Sequence, residues 1–154
     1  MNKLFLLITL LSIAISGNSM SIFSAKETIL FSPVDGIITY KNEPAGKAIV
    51  HRQVKYNDEV YEDSAETTDD GHFSFEPIAK KERYIVRNSF VAHQKIFVEY
   101  DGNQFLIWET AKREEEKNSE LEGKNLSFKC ELTDENRFVH LMLNSIETKC
   151  TWSG

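Results

Sequence analysis

His51, His72, His93 and His140 are the side chains of this chain best suited to binding a metal or moving a proton. None stands in an H-x-H, H-x-x-x-H or H-E-x-x-H spacing, so a zinc site would have to be gathered across strands. His51 and His72 are the pair that folding could bring together. Scattered surface or half-buried histidines account for all four, and no metal or other cofactor is expected. Asp69-Asp70-Gly71, with Glu66 nearby, offers carboxylate oxygens. It lacks the alternating ligands and the Glu at position twelve of a calcium loop, so it reads as a turn. Ser64, Ser74 and Ser89 have no G-x-S-x-G elbow to expose a nucleophile. The chain is read as a non-enzyme.

Two cysteines, Cys130 and Cys150, remain as chemistry-bearing residues. In "LSFKCEL", Leu126, Phe128, Cys130 and Leu132 alternate with polar residues. In "IETKCTW", Ile146, Cys150 and Trp152 do the same, with Thr148 as the polar member of the inward set. Period-two alternation puts each sulfur on the apolar face of a strand, where a disulfide joins two C-terminal strands. Two unpaired buried thiols are the competing reading. A metal held by two cysteines without C-x-x-C or a His pair is weaker still.

A disulfide needs an oxidising compartment, and the first residues supply one. "MNKLFLLITLLSIAISGNSMS" has a basic start at Lys3, an apolar run from Leu4 to Ile15, and small residues after it. This is the form of a secretory leader, and the run is short of the roughly twenty apolar residues of a membrane span. Cleavage is expected after Ser16 or after Ser21. Residues 1–21 are thus a signal peptide and 22–154 one domain, periplasmic or secreted, with no stable membrane insertion. Loss of Lys3 leaves 17 basic side chains against 24 acidic ones. Nucleic acid is a poor partner for that surface, since phosphate binding needs clustered Lys and Arg.

The elements that position these residues read as strands between turns. "VDGIITY" stops at "KNEPAG", where Pro44 fixes φ and Gly46 is taken to accept a positive one. "KAIVHRQVKY" places Ala48, Val50 and Val54 on one face and His51, Gln53 and Lys55 on the other. A turn at "NDE" leads into the polar "VYEDSAETT", and Asp69-Asp70-Gly71 reverses the chain into "HFSF", with Phe73 and Phe75 inward. "SFVAHQKIFVEY", the turn "DGN" and "QFLIWET" form a long hairpin. The charged stretch "AKREEEKNSELEGKN" has no strand pattern and is either one short helix or a solvated loop. "LSFKCEL", "FVHLMLNS" and "IETKCTW" close the chain as strands. Eight or nine strands at such spacing, with no long periodic helix, predict an all-β sandwich.

From Val34 to Phe75 the chain resembles the transthyretin-like, or carboxypeptidase regulatory-like, β-sandwich. The residues that carry this are Gly36-x-Ile38 before "NEPAGKAIV", and Thr68-Asp69-Asp70-Gly71-x-Phe73-x-Phe75. The likeness covers roughly a third of the mature chain and consists of turn signatures, which speak to fold rather than activity. It implies an antiparallel, prealbumin-like sandwich and transfers no catalytic residue. A urate-derivative hydrolase of that fold class carries a C-terminal Tyr-Arg-Gly-Ser signature, whereas this chain ends "CTWSG". The whole chain also resembles a group of small exported bacterial proteins with a C-terminal Cys pair and a terminal Trp, matched here by Cys130, Cys150 and Trp152.

These readings lead to an expected role in binding another protein. An immunity protein that neutralises a toxin delivered to the periplasm is the concrete form. A carbohydrate or cell-envelope polymer module is the alternative, although Trp108 and Trp152 read as core rather than as exposed platforms. Glu114, Glu115 and Glu116 are the expected partner-binding charges, and Tyr56 and Tyr61 are expected as exposed aromatics beside them.

Overall fold

The computed structural model describes residues 25–82 and 89–153; the proposed leader and its cleavage sites lie outside them. The strands in chain order are β1 (Lys26–Phe31), β2 (Val34–Tyr40), β3 (Glu43–Pro44), β4 (Ile49–Tyr56), β5 (Glu59–Glu66), β6 (His72–Phe75) and β7 (Ile78–Glu82). They continue as β8 (Ala92–Tyr100), β9 (Asn103–Lys112), β10 (Leu126–Glu131), β11 (Arg137–His140), β12 (Ser145–Thr148) and β13 (Cys150–Trp152). One 3-10 turn, Ser119–Leu121, stands in the charged stretch between β9 and β10. The protein is an all-β sandwich with one disulfide.

Six strands form one sheet in the order β11-β12-β9-β8-β4-β5. The second sheet runs β13-β10-β2, with β3 and β6 sharing the far side of β2. β1 and β7 form a small separate pair. Three hairpins close through two-residue turns with positive φ at both positions: Lys41–Asn42, Asn57–Asp58 and Asp101–Gly102. Such turns match the right-handed twist of the strands they join. "NDE" and "DGN" therefore turn where their composition indicates. "KNEPAG" differs: the left-handed residues are Lys41 and Asn42 within it and Lys47 just after it, not Gly46. Gly46 instead lies close against the Asp69 backbone.

The core between the sheets follows the alternation. Val50, Val54, Phe73, Phe75, Phe128 and Trp108 are all buried, and the Trp108 and Phe128 rings stack at 4.9 Å across the two sheets. A bulge between Ile96 and Phe97 in the β8–β9 pair shifts the register, so Ile107 and Trp108 are buried in succession. Gly36, buried in β2, leaves room for Phe73 and the Phe128 backbone; a Cβ there would lie 2.7 Å from the Phe128 carbonyl oxygen.

Three expectations change. The pairing of β2 with β10 is parallel, in register from Leu126↔Val34 to Glu131↔Thr39, within sheets otherwise antiparallel. The cause is an anchor described below, which ties the loop entering β10 to Ser32, just before β2, so both strands start at the same end. "IETKCTW" is two strands, because the chain leaves the six-stranded sheet at Lys149 and enters the other as β13. The thirteen strands exceed the expected count through short elements such as β3 and β13 and through β1, which lies ahead of the patterned region.

Candidate functional site

Cys130 and Cys150 sit opposite each other in the β10–β13 pair and are disulfide-bonded, with Cα atoms 4.1 Å apart. Both are buried, in phase with Phe128 and Ile146. The bond fixes the C-terminal strand to the sandwich, so β12 and the β11–β12 hairpin are held from both sides.

The charged stretch is neither a helix nor a free loop. Glu120, in its 3-10 turn, is fully buried, and its carboxylate accepts from Ser32 N at 3.0 Å, Ser32 Oγ at 2.7 Å, Gln94 Nε2 at 2.7 Å and Lys112 Nζ at 3.1 Å. Lys112, equally buried, also donates to the Glu116 carbonyl at 2.7 Å and to Ser32 Oγ at 3.3 Å. Burial pushes the Lys112 ammonium below the usual lysine range, while the Glu120 charge opposes that shift. Gln94 Nε2 further donates to the Leu30 carbonyl, and Trp108 Nε1 donates to Gln94 Oε1. The network is a structural anchor: its Lys112 and Gln94 donors are all committed within the protein.

That anchor determines what Glu114, Glu115 and Glu116 present. Ser119 Oγ donates to the Glu114 carbonyl, and Ile29 N donates to that of Glu115. The Glu115 carboxylate lies 2.7 Å from Lys26 Nζ, with Glu116 at 3.8 Å. Glu114 and Glu116 are exposed and Glu115 is half-buried. Tyr56 is a correction. It is buried in the core rather than exposed, its ring 5.3 Å from Phe90 and its hydroxyl donating to Glu82. It occupies the inward phase of β4 with Val50, Arg52 and Val54. Tyr61, opposite Val54, is half-buried against the same core, its hydroxyl bonded to Glu59. Tyr56 therefore offers no exposed ring, and Tyr61 only a half-buried one.

His51 and His72 lie on different sheets, in β4 and β6. His51 stacks on Phe97 at 4.7 Å and lies 3.5 Å from Glu99. Among the described residues no group of three or more His, Cys, Asp or Glu side chains is placed to hold a metal. A shallow groove of about 410 Å³ crosses the second sheet, lined by residues that include Asp35, Ile37, His72, Ser127, Lys129 and Thr151. Ser127 Oγ donates to Asp35 Oδ1 at 2.9 Å within it.

Among the described residues the two most exposed large apolar side chains, Phe138 and Met142, lie elsewhere, on the β11–β12 hairpin, with Leu143 beside them. Phe138 is 65 % exposed, Met142 88 % and Leu143 47 %. Val139 points inward opposite Ile146, while Phe138 stands on the outer face opposite Glu147. The pattern of "FVHLMLNS" reads as a strand, and its exposed tip is not anticipated by that reading. The missed signal is its failure to alternate: Leu141, Met142 and Leu143 in succession cannot all face one side of a strand.

Residues 34–135 match the family described as Domain of unknown function (DUF6795). No curated protein and no solved structure matches the chain. The β11–β12 hairpin lies beyond the matched residues.

Proposed function

The chain belongs to the DUF6795 family, and we propose that it is an exported, non-enzymatic protein-binding module with a transthyretin-like sandwich. One observation carries this reading: the β11–β12 hairpin holds Phe138, Met142 and Leu143 in solvent, on a domain that buries or half-buries its other large apolar side chains except Ile37 and Val60 among the described residues. A cluster of this kind marks an interaction site, whereas single exposed apolar residues do not. The disulfide and the Glu120–Lys112 anchor make the scaffold rigid beneath it, which limits the entropy lost on binding. In its concrete form the module is an immunity protein against a toxin delivered to the periplasm, a reading supported by its compact size, acidic charge and leader-like first residues.

A second reading has its own observation. The groove over Asp35, His72, Ser127 and Lys129 offers hydroxyl, carboxylate and ammonium groups on a flat sheet, the chemistry that hydrogen-bonds a cell-envelope polymer. Its weakness is the absence from the lining of a fully exposed aromatic platform; Trp152 there is half-buried and packs on Phe128 and Trp108.

Affinity capture from periplasmic extract with three baits tests the proposal. A partner held by wild type and by Glu114→Lys/Glu115→Lys/Glu116→Lys, but lost by Phe138→Asp/Met142→Asp, is the expected result. A partner lost only by the triple variant moves the site to the acidic loop. Capture that is the same for all three baits overturns the protein-binding reading of both surfaces.

A further inference from the structure

Beneath its exposed side chains the same hairpin carries a sheet edge that is open among the described residues. β11 is the terminal strand of the six-stranded sheet. Leu141 N donates to the Asn144 carbonyl at 2.9 Å, so 141 and 144 form a hydrogen-bonded pair of the ladder. Alternation along an antiparallel pair makes Val139↔Ile146 and Arg137↔Thr148 hydrogen-bonded as well. The N–H and C=O groups of Phe138 and His140 therefore point away from β12, to the outside of the sheet. The opposite edge, β5, is different: its acids are in part already satisfied, Glu59 by Lys80, Asp63 by Arg52 and Glu62 by Gln53. β11 carries no carboxylate of its own: beside Phe138 and Val139 it holds Arg137 and His140, and the apolar tip follows it.

We infer that β11 accepts an extended segment of a partner protein as a seventh strand, and that this segment alternates basic and apolar side chains. The inference rests on the protein-binding reading above and specifies its mode. Charge supplies the basic half. Asp134 and Glu135 stand exposed just before β11, Glu122 sits at the turn with its Oε1 accepting from Met142 N at 2.9 Å, and Glu147 faces the outer side opposite Phe138. Glu147 is also directly opposite Glu109 in β9; Glu109 has Lys95 3.4 Å away, while Glu147 accepts from the Asn136 amide and has no cation beside it among the ion pairs of the described residues. The cations nearby are committed: the Arg137 guanidinium lies over Trp152 and donates to the Cys150 carbonyl, Lys149 Nζ donates to that of Asp134, and Lys95 is paired with Glu109. A lysine or arginine on the added strand lays its stem on the Phe138 ring and reaches the acidic rim. The apolar half follows from the pleat, since the alternate residues fall on the inner face beside Val139. A second copy of this chain fits less well, because it brings another net charge of −6 to the same acidic rim.

The probe is a short capped peptide of alternating lysine and valine, titrated into the full mature protein with its disulfide intact. Amide chemical shifts and hydrogen exchange are followed by NMR. The expected result is shifts centred on residues 137–147, slowed exchange at Phe138 and His140, and binding weakened by salt. The glutamate–valine counterpart does not bind, and neither does a lysine–valine peptide N-methylated along its pairing edge. In the protein, His140→Pro removes one outward N–H while leaving Phe138 and Met142 in place, and binding falls about tenfold, the worth of one strand hydrogen bond. Equal binding of the N-methylated peptide overturns strand addition but leaves the protein-binding reading standing. Loss with Phe138→Asp/Met142→Asp and full retention with His140→Pro says the same. Shifts confined to β5 or to the acidic loop overturn the site. A dimer in sedimentation that His140→Pro dissolves overturns the choice of occupant.

Discussion

Replacing Lys112 by Met removes one charge from the interior and almost no volume, so its cost isolates the ion pair. Lys112 and Glu120 are both fully buried and 3.1 Å apart. Without the ammonium, the carboxylate keeps three donors, Ser32 N, Ser32 Oγ and Gln94 Nε2, but no counter-charge. Breaking a buried pair in this way costs about 3–5 kcal/mol. Against a total of roughly 5–15 kcal/mol for a domain, that leaves the variant marginal. Glu120→Gln strands the ammonium and is expected to cost a similar amount. The double variant strands neither charge, so its loss should fall short of the sum of the single losses by about 2 kcal/mol or more. Urea unfolding with the disulfide intact, followed by the fluorescence of buried Trp108, measures all four members of the cycle. Burial lowers the Lys112 pKa from 10.5, and Glu120→Gln removes the carboxylate that resists this. Between the lowered value and 10.5 the unfolded chain holds a proton that the folded chain does not, so stability of Glu120→Gln should climb with pH there. Lys112→Met should show no such climb. Additivity of the two substitutions within about 0.5 kcal/mol, or a cost for Lys112→Met below about 1 kcal/mol, would refute the view that this pair anchors the loop.

Reducing Cys130–Cys150, or replacing both by Ala, should cost about 3 kcal/mol from a loop of 20 residues, read from urea midpoints with and without reductant. Gly71→Val should cost more than the roughly 1–2 kcal/mol of left-handed strain alone, because φ is 80° and a Cβ would lie 2.3 Å from the Ile38 carbonyl oxygen. Phe73→Ala, at a buried ring, should cost about 3–5 kcal/mol, and a thermal melt matching wild type would mean the ring is not in the core. Burial alone would raise the Glu131 carboxyl; hydrogen bonds from Thr133, Thr39 and the Asn42 amide outweigh it and hold it at about 2, against an ordinary 4.5. Its contribution is therefore present above about pH 4.5 and lost as pH falls toward 2, and Glu131→Gln should flatten the acid limb of the stability curve in that window.

The sequence alone determined what depends on near neighbours. Alternation placed Phe73, Phe75, Phe128, Cys130 and Cys150 inward, because a strand turns successive side chains to opposite faces whatever lies beyond it. Asn57-Asp58 and Asp101-Gly102 marked their hairpins, since those residue types tolerate positive φ. Tertiary structure decided everything that depends on distant partners. Lys112 and Arg52 share the inward phase of β9 and β4, yet only the folded chain shows what makes their burial tolerable: Glu120 for the first, and for the second a two-point contact with Asp63 between the rings of Phe31 and Phe75. Tyr56 is core rather than surface because Phe90 and Glu82 reach it from other elements. The acids from Glu114 to Glu116 read as a free docking loop, but the loop's backbone is held by Ile29, Lys112 and Ser119. The open edge at β11 belongs to no local pattern. Whether a strand is central or terminal depends on which strands pair beside it, and pairing partners far apart in the chain leave no trace in the spacing of either one.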